Sequence, residues 1–293
     1  MIPAWTATIG ALAWGAVWGS FGNVLVYRWP RDESLVRPGS RCPACGVAIR
    51  WYDNVPVLSY LALGGRCRDC GAVISLRYPL MEATCAALAV GVWYRLASAA
   101  LADIGAIDPA TIGRFLIEFQ VLWGLVVVSL VDFETLLVPD VVVVPLAGLA
   151  MAGQFLFEDG RPWLHLGTAA AGYLMVRVVF VAGWKALTGR EGMGMGDGKI
   201  LALLGAHLGP GPLPFVLVAG SIQGLLYVLA TVASGRSPTP DGAGEPPASS
   251  LRETKIPFGP FLALAAIEAV FLAPIAAPWV ADTPGLRVLF GFG

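Results

Sequence analysis

Residues 115–157 read FLIEFQVLWGLVVVSLVDFETLLVPDVVVVPLAGLAMAGQFLF, which is two apolar runs joined by a short acidic turn. Each run approaches the ~20 residues that an α-helix needs to cross a bilayer. Runs of this kind recur along the chain, and they predict an all-α polytopic membrane protein with about eight transmembrane helices. The predicted spans are 4–27, 79–98, 115–131, 138–157, 163–187, 199–212, 213–234 and 257–280.

The composition argues against a soluble protein. Of 293 residues, 57% are hydrophobic and only 13% are charged, whereas soluble domains carry roughly 25% charged residues. The formal net charge of −1 provides no basic field, so nucleic acid is not expected as a partner. The first span has no Lys or Arg before Arg28 and is predicted to be a retained helix rather than a cleaved signal peptide.

The basic residues predict the orientation in the membrane. With eight spans, the connections at 28–78, 188–198 and 235–256 lie on one side, and with their edges they hold 14 of the 19 Lys and Arg residues. Loops rich in Lys and Arg stay in the cytoplasm. We therefore expect this side to be cytoplasmic and both termini to face outward.

Three parts are predicted along the chain. Residues 1–27 form the first transmembrane helix, residues 28–78 a small cytoplasmic domain, and residues 79–293 the remaining membrane domain. The Pro-, Ser- and Gly-rich connector 235–255 contains no apolar run and is predicted to be disordered. No internal repeat is expected.

The small domain contains two CxxC pairs, Cys42 with Cys45 and Cys67 with Cys70, each followed by Gly. Two such pairs can complete a tetrahedral Cys₄ site, which predicts a structural zinc ion in a ribbon-like fold. Redox pairs or disulfides are the alternative, and the reducing cytoplasm disfavours disulfides. A closed Cys₄ shell leaves no open position, so this metal is not expected to be catalytic. Cys85 lies within the second span and is interpreted as a packing residue.

Two acidic segments are the candidate site. VDFETLLVPD (131–140) follows the third span, and GMGMGDGK (192–199) precedes the sixth. Ionisable residues at membrane depth are costly and point to function. Asp132 and Asp197 fall on the same side by span parity and can meet, although each alone also suits helix capping or an interface.

A pair of carboxylates in a low-dielectric site cannot both ionise easily, so one of them holds a proton. The ionised partner can accept a proton from water while the other donates to a carbonyl oxygen, which is general acid–base hydrolysis of a peptide. The neighbouring glycines are expected to admit an extended peptide and to allow positive φ beside the aspartate. Lys199 is expected either to tune Asp197 or to anchor at head groups, and Asp140 to cap the fourth span.

Several long segments of the sequence resemble those of the type IV prepilin peptidases, also called leader peptidase/N-methyltransferases. The resemblance rests on GSFGNV at 19–24, YRWP at 27–30, ISLRYPLMEA at 74–83 and IPFGPFLALAA at 256–266. It also covers the two CxxC segments and the two aspartate segments.

This resemblance implies a GxGD aspartyl protease of the bacterial inner membrane whose site faces the cytoplasm. Such enzymes remove the basic leader from prepilins and from pseudopilins of type II secretion. The catalytic pair would be Asp132 and Asp197, and the zinc ligands Cys42, Cys45, Cys67 and Cys70. Many members also methylate the new N-terminus with S-adenosylmethionine, whose site no motif here identifies. A spare carboxylate, Glu134, Asp140 or Glu191, is a candidate to steer the basic leader.

Two other functions are compatible with parts of the pattern. An ion-coupled transporter would use the intramembrane acids as carriers, but such sites lie near the midplane between inverted repeats. A zinc-ribbon membrane adaptor without catalysis would need the cysteines and not the aspartates.

Overall fold

The computed structural model describes residues 4–103, 108–157, 161–189, 192–235 and 256–280. Within these ranges the chain is almost entirely helical, and the only β-pairing is two isolated bridges, Arg41 with Ala48 and Arg66 with Val73. The helices are α1 (Ala4–Arg28), α2 (Leu58–Ala62), α3 (Arg77–Asp103), α4 (Pro109–Thr135), α5 (Asp140–Phe157), α6 (Pro162–Leu174), α7 (Trp184–Thr188), α8 (Met195–Leu208), α9 (Leu213–Ala233) and α10 (Gly259–Val280). A π-helical segment, Met175–Gly183, joins α6 to α7.

The all-α membrane architecture is confirmed, since every predicted span coincides with a helix. Six helical stretches of the described chain are long and apolar enough to cross a membrane. The other two coincide with α8, which has 14 residues, and α10, whose described apolar part is Gly259–Leu272. The sixth span is predicted to begin at residue 199, after Asp197. In the structure α8 begins at Met195, so Asp197 lies in its first turn.

The chain divides into two compact units, Met1–Phe119 and Gln120–Gly293, so α4 contributes to both. In the first unit, α1 packs along α3 through small residues. A Cβ atom at Gly15 would lie 2.7 Å from the Cβ of Ala89, and one at Gly19 would lie 2.7 Å from the Cα of Glu82. Glycine therefore lets these two helices approach closely, as in many membrane helix pairs.

In the second unit, α8 is the central helix. It contacts α5, α6, α9 and α10, and its apolar side chains Ile200, Leu201, Leu203 and Leu204 are fully buried. A short apolar helix surrounded on all sides is stabilised by its neighbours rather than by lipid, which explains how 14 residues suffice. Of the connector predicted to be disordered, residues 236–255 lie outside the described residues.

The α6–α8 contact depends on Gly205 and gives a direct test of this packing. A Cβ atom at this position would lie 2.7 Å from the backbone nitrogen of Ala169. Gly205→Ala is therefore expected to destabilise the protein by about 1–3 kcal/mol through overpacking. The matched control is Gly148→Ala on α5, where a Cβ meets nothing within 4 Å. Thermal unfolding in detergent measures both, and an unchanged midpoint for Gly205→Ala would contradict this account.

Candidate active site and metal centre

Asp132 lies in the last turn of α4 and is only 5% exposed. One of its carboxylate oxygens, Oδ2, accepts a hydrogen bond of 3.0 Å from the backbone N–H of Gly259. Gly259 is the first residue of α10, so the carboxylate lies at a helix N-terminus, where unpaired N–H groups and the helix dipole favour negative charge.

Asp197 lies in the first turn of α8 and is 8% exposed. Its own N–H donates to the carbonyl of Gly194 at 3.2 Å, and the Gly194 N–H donates to its carboxylate. Gly194 is the N-cap residue and has no side chain, so only one half of a capping box is present, the contact between the Asp197 carboxylate and the N-cap N–H. Asp197 therefore lies in the first turn of α8, as a capping role predicts, and also interacts with Asp132.

The two aspartates come together in the fold although 65 positions separate them in the sequence. The Asp132 carboxylate is close enough to that of Asp197 to interact with it electrostatically. Both are buried at helix ends, one at the C-terminus of α4 and the other at the N-terminus of α8. The arrangement provides two buried carboxyl groups that interact electrostatically, and general acid–base hydrolysis uses such a pair.

The turn after α4 packs against the start of α8 and is linked to it by an ion pair. A Cβ atom at Gly196 would lie 2.5 Å from Cγ2 of Val138, so only glycine lets this valine pack against the helix. Lys199 donates to the Asp140 carboxylate at 2.5 Å. Lys199 therefore forms an ion pair with Asp140 and does not contact Asp197 in this way. Asp140 itself lies in the first turn of α5, where the helix dipole stabilises its negative charge.

The role predicted for the glycines of the second acidic segment is wrong in one respect. None of Gly192, Gly194, Gly196 and Gly198 has positive φ. They are needed instead for close packing, since Gly196 contacts Val138 and a Cβ at Gly198 would lie 3.2 Å from Val176.

Gly259 is the residue of this site that sequence reasoning missed. A Cβ atom there would lie 2.7 Å from Oδ2 of Asp132 and 2.8 Å from Cδ1 of Ile200. The signal was present in the block IPFGPFLALAA, but nothing in the sequence alone connects that block to Asp132.

Phe133, the residue that follows Asp132, belongs to a cluster of aromatic rings. It contacts the Tyr227 ring edge-on, with centroids 5.5 Å apart, and Tyr227 lies 5.4 Å from Phe261. These rings belong to α4, α9 and α10, so they pack the three helices together near the end of α4.

The four cysteines of the small domain converge on one point. Their sulfur atoms all lie within 4.8 Å of one another, and Cys42 Sγ lies 3.8 Å from Cys70 Sγ. Ligands ~2.3 Å from a tetrahedral Zn²⁺ lie about 3.8 Å apart, so the donor set fits that ion. The N–H groups of Cys45 and Ala44 donate to Cys42 and lower the pKa of its thiol to about 7, which favours the thiolate that a metal binds.

The two knuckles are structural copies, and this corrects the expectation that no internal repeat exists. Cys42 N–H donates to Val47 O at 3.0 Å, and Cys67 N–H donates to Ala72 O at 2.8 Å. Gly46 and Gly71 have φ of +73° and +71°, and each donates back to the first cysteine of its knuckle. The matching segments CPACGVAI and CRDCGAVI carry the repeat in the sequence.

Two other intramembrane acids have structural partners. Glu118 forms an ion pair with Arg95, and Glu268 accepts a hydrogen bond of 2.8 Å from Gln223. His165 lies 3.2 Å from the carbonyl of Ala206, consistent with packing rather than metal binding. Cys85 is fully buried, as expected for a packing residue. Glu191 lies outside the described residues.

Comparison with known proteins gives a consistent result across the chain. Residues 13–96 match a family described as the bacterial peptidase A24 N-terminal domain, and residues 119–229 match the type IV leader peptidase family. A prepilin leader peptidase/N-methyltransferase of Myxococcus xanthus is 33% identical, covering 87% of each chain. Proteins of the same description from Pseudomonas putida and Dichelobacter nodosus are 36% and 37% identical, the former over 92% of each chain and the latter over 84% of this chain. No solved structure matches the chain.

The cysteine geometry predicts the metal content of the purified protein. We expect about one zinc ion per chain, because four thiolates complete a closed shell. Changing Cys42 and Cys45 together to Ser is expected to remove it, whereas Cys85→Ala, which alters a cysteine outside the cluster, should leave it in place. Elemental analysis by mass spectrometry measures both variants. A metal-free wild-type protein, or a double variant that keeps its zinc, would contradict the assignment.

Proposed function

The chain belongs to the type IV leader peptidase family of multi-pass membrane proteins, and we propose that it is an aspartyl endopeptidase that cleaves the basic leader from type IV prepilins and type II secretion pseudopilins. We further propose that it methylates the new N-terminus. The observation that carries the peptidase proposal is the pair of buried carboxyl groups at Asp132 and Asp197, which interact electrostatically.

In the proposed mechanism, one aspartate is ionised and the other holds a proton. The ionised carboxylate accepts a proton from water as the water oxygen bonds to the scissile carbonyl carbon, and the protonated partner donates to the carbonyl oxygen. The tetrahedral intermediate then collapses: the amine leaves with a proton from the aspartate that had received one, and the other aspartate takes a proton back from the former carbonyl oxygen. The Gly259 and Gly194 N–H groups keep the two side chains oriented throughout.

We assign a structural zinc ion to Cys42, Cys45, Cys67 and Cys70, the four-sulfur cluster whose spacing fits a tetrahedral ion. All four positions are protein ligands, so the ion would hold the two knuckles together without taking part in hydrolysis. The bidentate pair of Arg68 with Asp53, with bonds of 2.8 and 2.7 Å, ties the second knuckle to the segment before it.

The methyl donor is proposed to be S-adenosylmethionine, because the relatives are described as N-methyltransferases. When bound, it would supply a methyl group on a cationic sulfur for transfer to the new N-terminal amine. The protein must bind this donor and present the amine to it.

We propose the bacterial inner membrane as the location, with the acid pair facing the cytoplasm. The positive-inside distribution of Lys and Arg supports this orientation, because a prepilin has its basic leader in the cytoplasm and its apolar helix in the bilayer. The domain division proposed is a first span at 1–27, a zinc domain at 28–78 and a protease domain at 79–293. Of the carboxylates proposed to steer the leader, Asp140 is engaged by Lys199.

The alternative functions are not favoured. A transport site near the midplane would need acids in the middle of spans, whereas Asp132 lies in the last turn of α4 and Asp197 in the first turn of α8. A non-catalytic adaptor has no use for two carboxylates buried against each other at a cost in free energy.

Removal of either aspartate tests the peptidase directly. Asp132→Asn and Asp197→Asn are each expected to abolish leader cleavage, because the remaining carboxyl group cannot act as both acid and base. The matched control is Asp108→Asn at the other end of α4, where the side chain accepts from the Thr111 N–H at 2.7 Å and an amide can still cap the helix. Cleavage of a purified prepilin, followed by mass spectrometry, is the measurement. Cleavage by either aspartate variant would contradict the proposal.

Gly259 is expected to act as a positioning residue for Asp132. Gly259→Ala places a Cβ atom against the carboxylate and should lower kcat for leader cleavage by roughly tenfold to a hundredfold, as for an ångström-scale misplacement. KM should change little, since the substrate contacts remain, and Gly148→Ala serves as the control. Steady-state kinetics and the thermal midpoint are measured together. A wild-type kcat, or a loss explained entirely by unfolding, would refute this role.

A further inference from the structure

The first compact unit contains a cavity of about 620 Å³. Its walls come from α1, from the two cysteine knuckles and the segment between them, and from the start of α3. The polar residues that line it include Ser20, Asn23, Asp53, Tyr78 and Glu82. Small-molecule and cofactor sites have volumes of roughly 300–1,000 Å³, so the cavity is large enough for a nucleoside-sized ligand.

Glu82 is the distinctive group in this cavity. Its side chain is buried, and its Oε2 accepts a hydrogen bond of 2.7 Å from the Val57 N–H and another bond from Ser20. Among the described residues, no Lys or Arg lies within ion-pair distance of it. The other cavity carboxylates differ, since Asp53 pairs with Arg68 and Asp69 pairs with Arg50, while Glu33 is exposed to solvent.

The donor to Glu82 is held in a strained conformation. Val57 has φ of +61° and ψ of −50°, and the Leu58 N–H donates across it to Pro56 O at 2.6 Å, which makes a γ-turn of the rare form. Positive φ is a genuine outlier for a β-branched residue. Strain of this kind persists where the surrounding structure holds it and is concentrated at binding and active sites. Here it directs an N–H group at Glu82, which is the buried carboxylate among the described cavity residues that has no cationic partner.

We propose that this cavity binds S-adenosylmethionine, with Glu82 as the counter-charge for its cationic end. A buried carboxylate without a cationic partner is costly, and a ligand that carries a sulfonium and an ammonium group would relieve that cost. The tyrosine rings of Tyr27, Tyr60 and Tyr78 also line the cavity and offer aromatic surface for an adenine. This inference rests on the proposed methyl transfer.

The division of the chain between two families supports the assignment. The whole lining lies between residues 20 and 82, within the region 13–96 that matches the A24 N-terminal domain. The two aspartates lie within 119–229, the region that matches the leader peptidase family. The peptidase acids are thus accounted for in one region, and the other contains a cavity of cofactor size.

Equilibrium binding of radiolabelled S-adenosylmethionine to the full-length protein in detergent, without prepilin, tests the site. Glu82→Gln keeps an acceptor for the Val57 N–H but removes the charge, and it is expected to weaken Kd by at least about tenfold, as for loss of a charge-assisted contact. Leader cleavage by this variant should remain, which also reports that it folds. The matched control is Asp32→Asn, an exposed carboxylate outside the cavity lining, at φ of +54° where Asn is well tolerated. It should bind as the wild type does.

Ultraviolet cross-linking of the labelled ligand to the wild-type protein provides a second measurement that does not depend on any variant folding. Label recovered in peptides from 20–82 supports the site. The binding site is overturned if the label is confined to residues after 119. It is also overturned if a cleavage-competent Glu82→Gln protein has an unchanged Kd. Neither result contradicts the proposed methyl transfer. A wild-type protein that neither binds the donor nor methylates a cleaved prepilin would overturn both proposals.

Discussion

The fold of the second unit depends on burying two carboxylates in an environment where ions are costly. Asp132 and Asp197 are almost completely inaccessible, and no ion pair with either is found among the described residues. Backbone N–H groups at the starts of two helices stabilise them instead, from Gly259 on α10 and from Gly194 before α8. Stabilising both carboxylates in this way requires the end of α4 to contact the starts of α8 and α10. This requirement explains the central position of α8 and the need for glycine where the helices approach one another.

The sequence was sufficient to predict the spans and the acid pair, because both signals are local. Long apolar runs determine helices in a bilayer, and a charge at a run's edge is conspicuous where charges are scarce. The boundary of the sixth span differs from the prediction because the apolar run begins only after Asp197, whereas α8 begins at Met195 and includes Asp197 in its first turn. The part played by Gly259 was not predictable, because it depends on a contact across 127 positions.

In the small domain, the metal site can be predicted from the sequence, but the repeat of the two knuckles cannot. The four cysteines predict one metal site, but the repeat is harder to detect, because CPACGVAI and CRDCGAVI share only four of their eight residues. The structure gives the repeat its physical reason: each knuckle needs a glycine at positive φ after the second cysteine and a backbone bond that closes the loop. Two copies of one loop then present four thiolates to a single point.

Buried carboxylates in the described chain are stabilised in two ways, and the difference bears on what each can do. Glu118 is paired with Arg95, and such a pair fixes both charges, because separating them would leave an uncompensated ion. Asp132, Asp197 and Glu82 are held by amide or hydroxyl donors, which orient a carboxyl group without cancelling its charge. A group held in this way remains available to exchange a proton, as hydrolysis requires, or to attract a cation. In a chain with so few charges, the choice between an arginine and a backbone amide as partner therefore separates structural carboxylates from those available for chemistry.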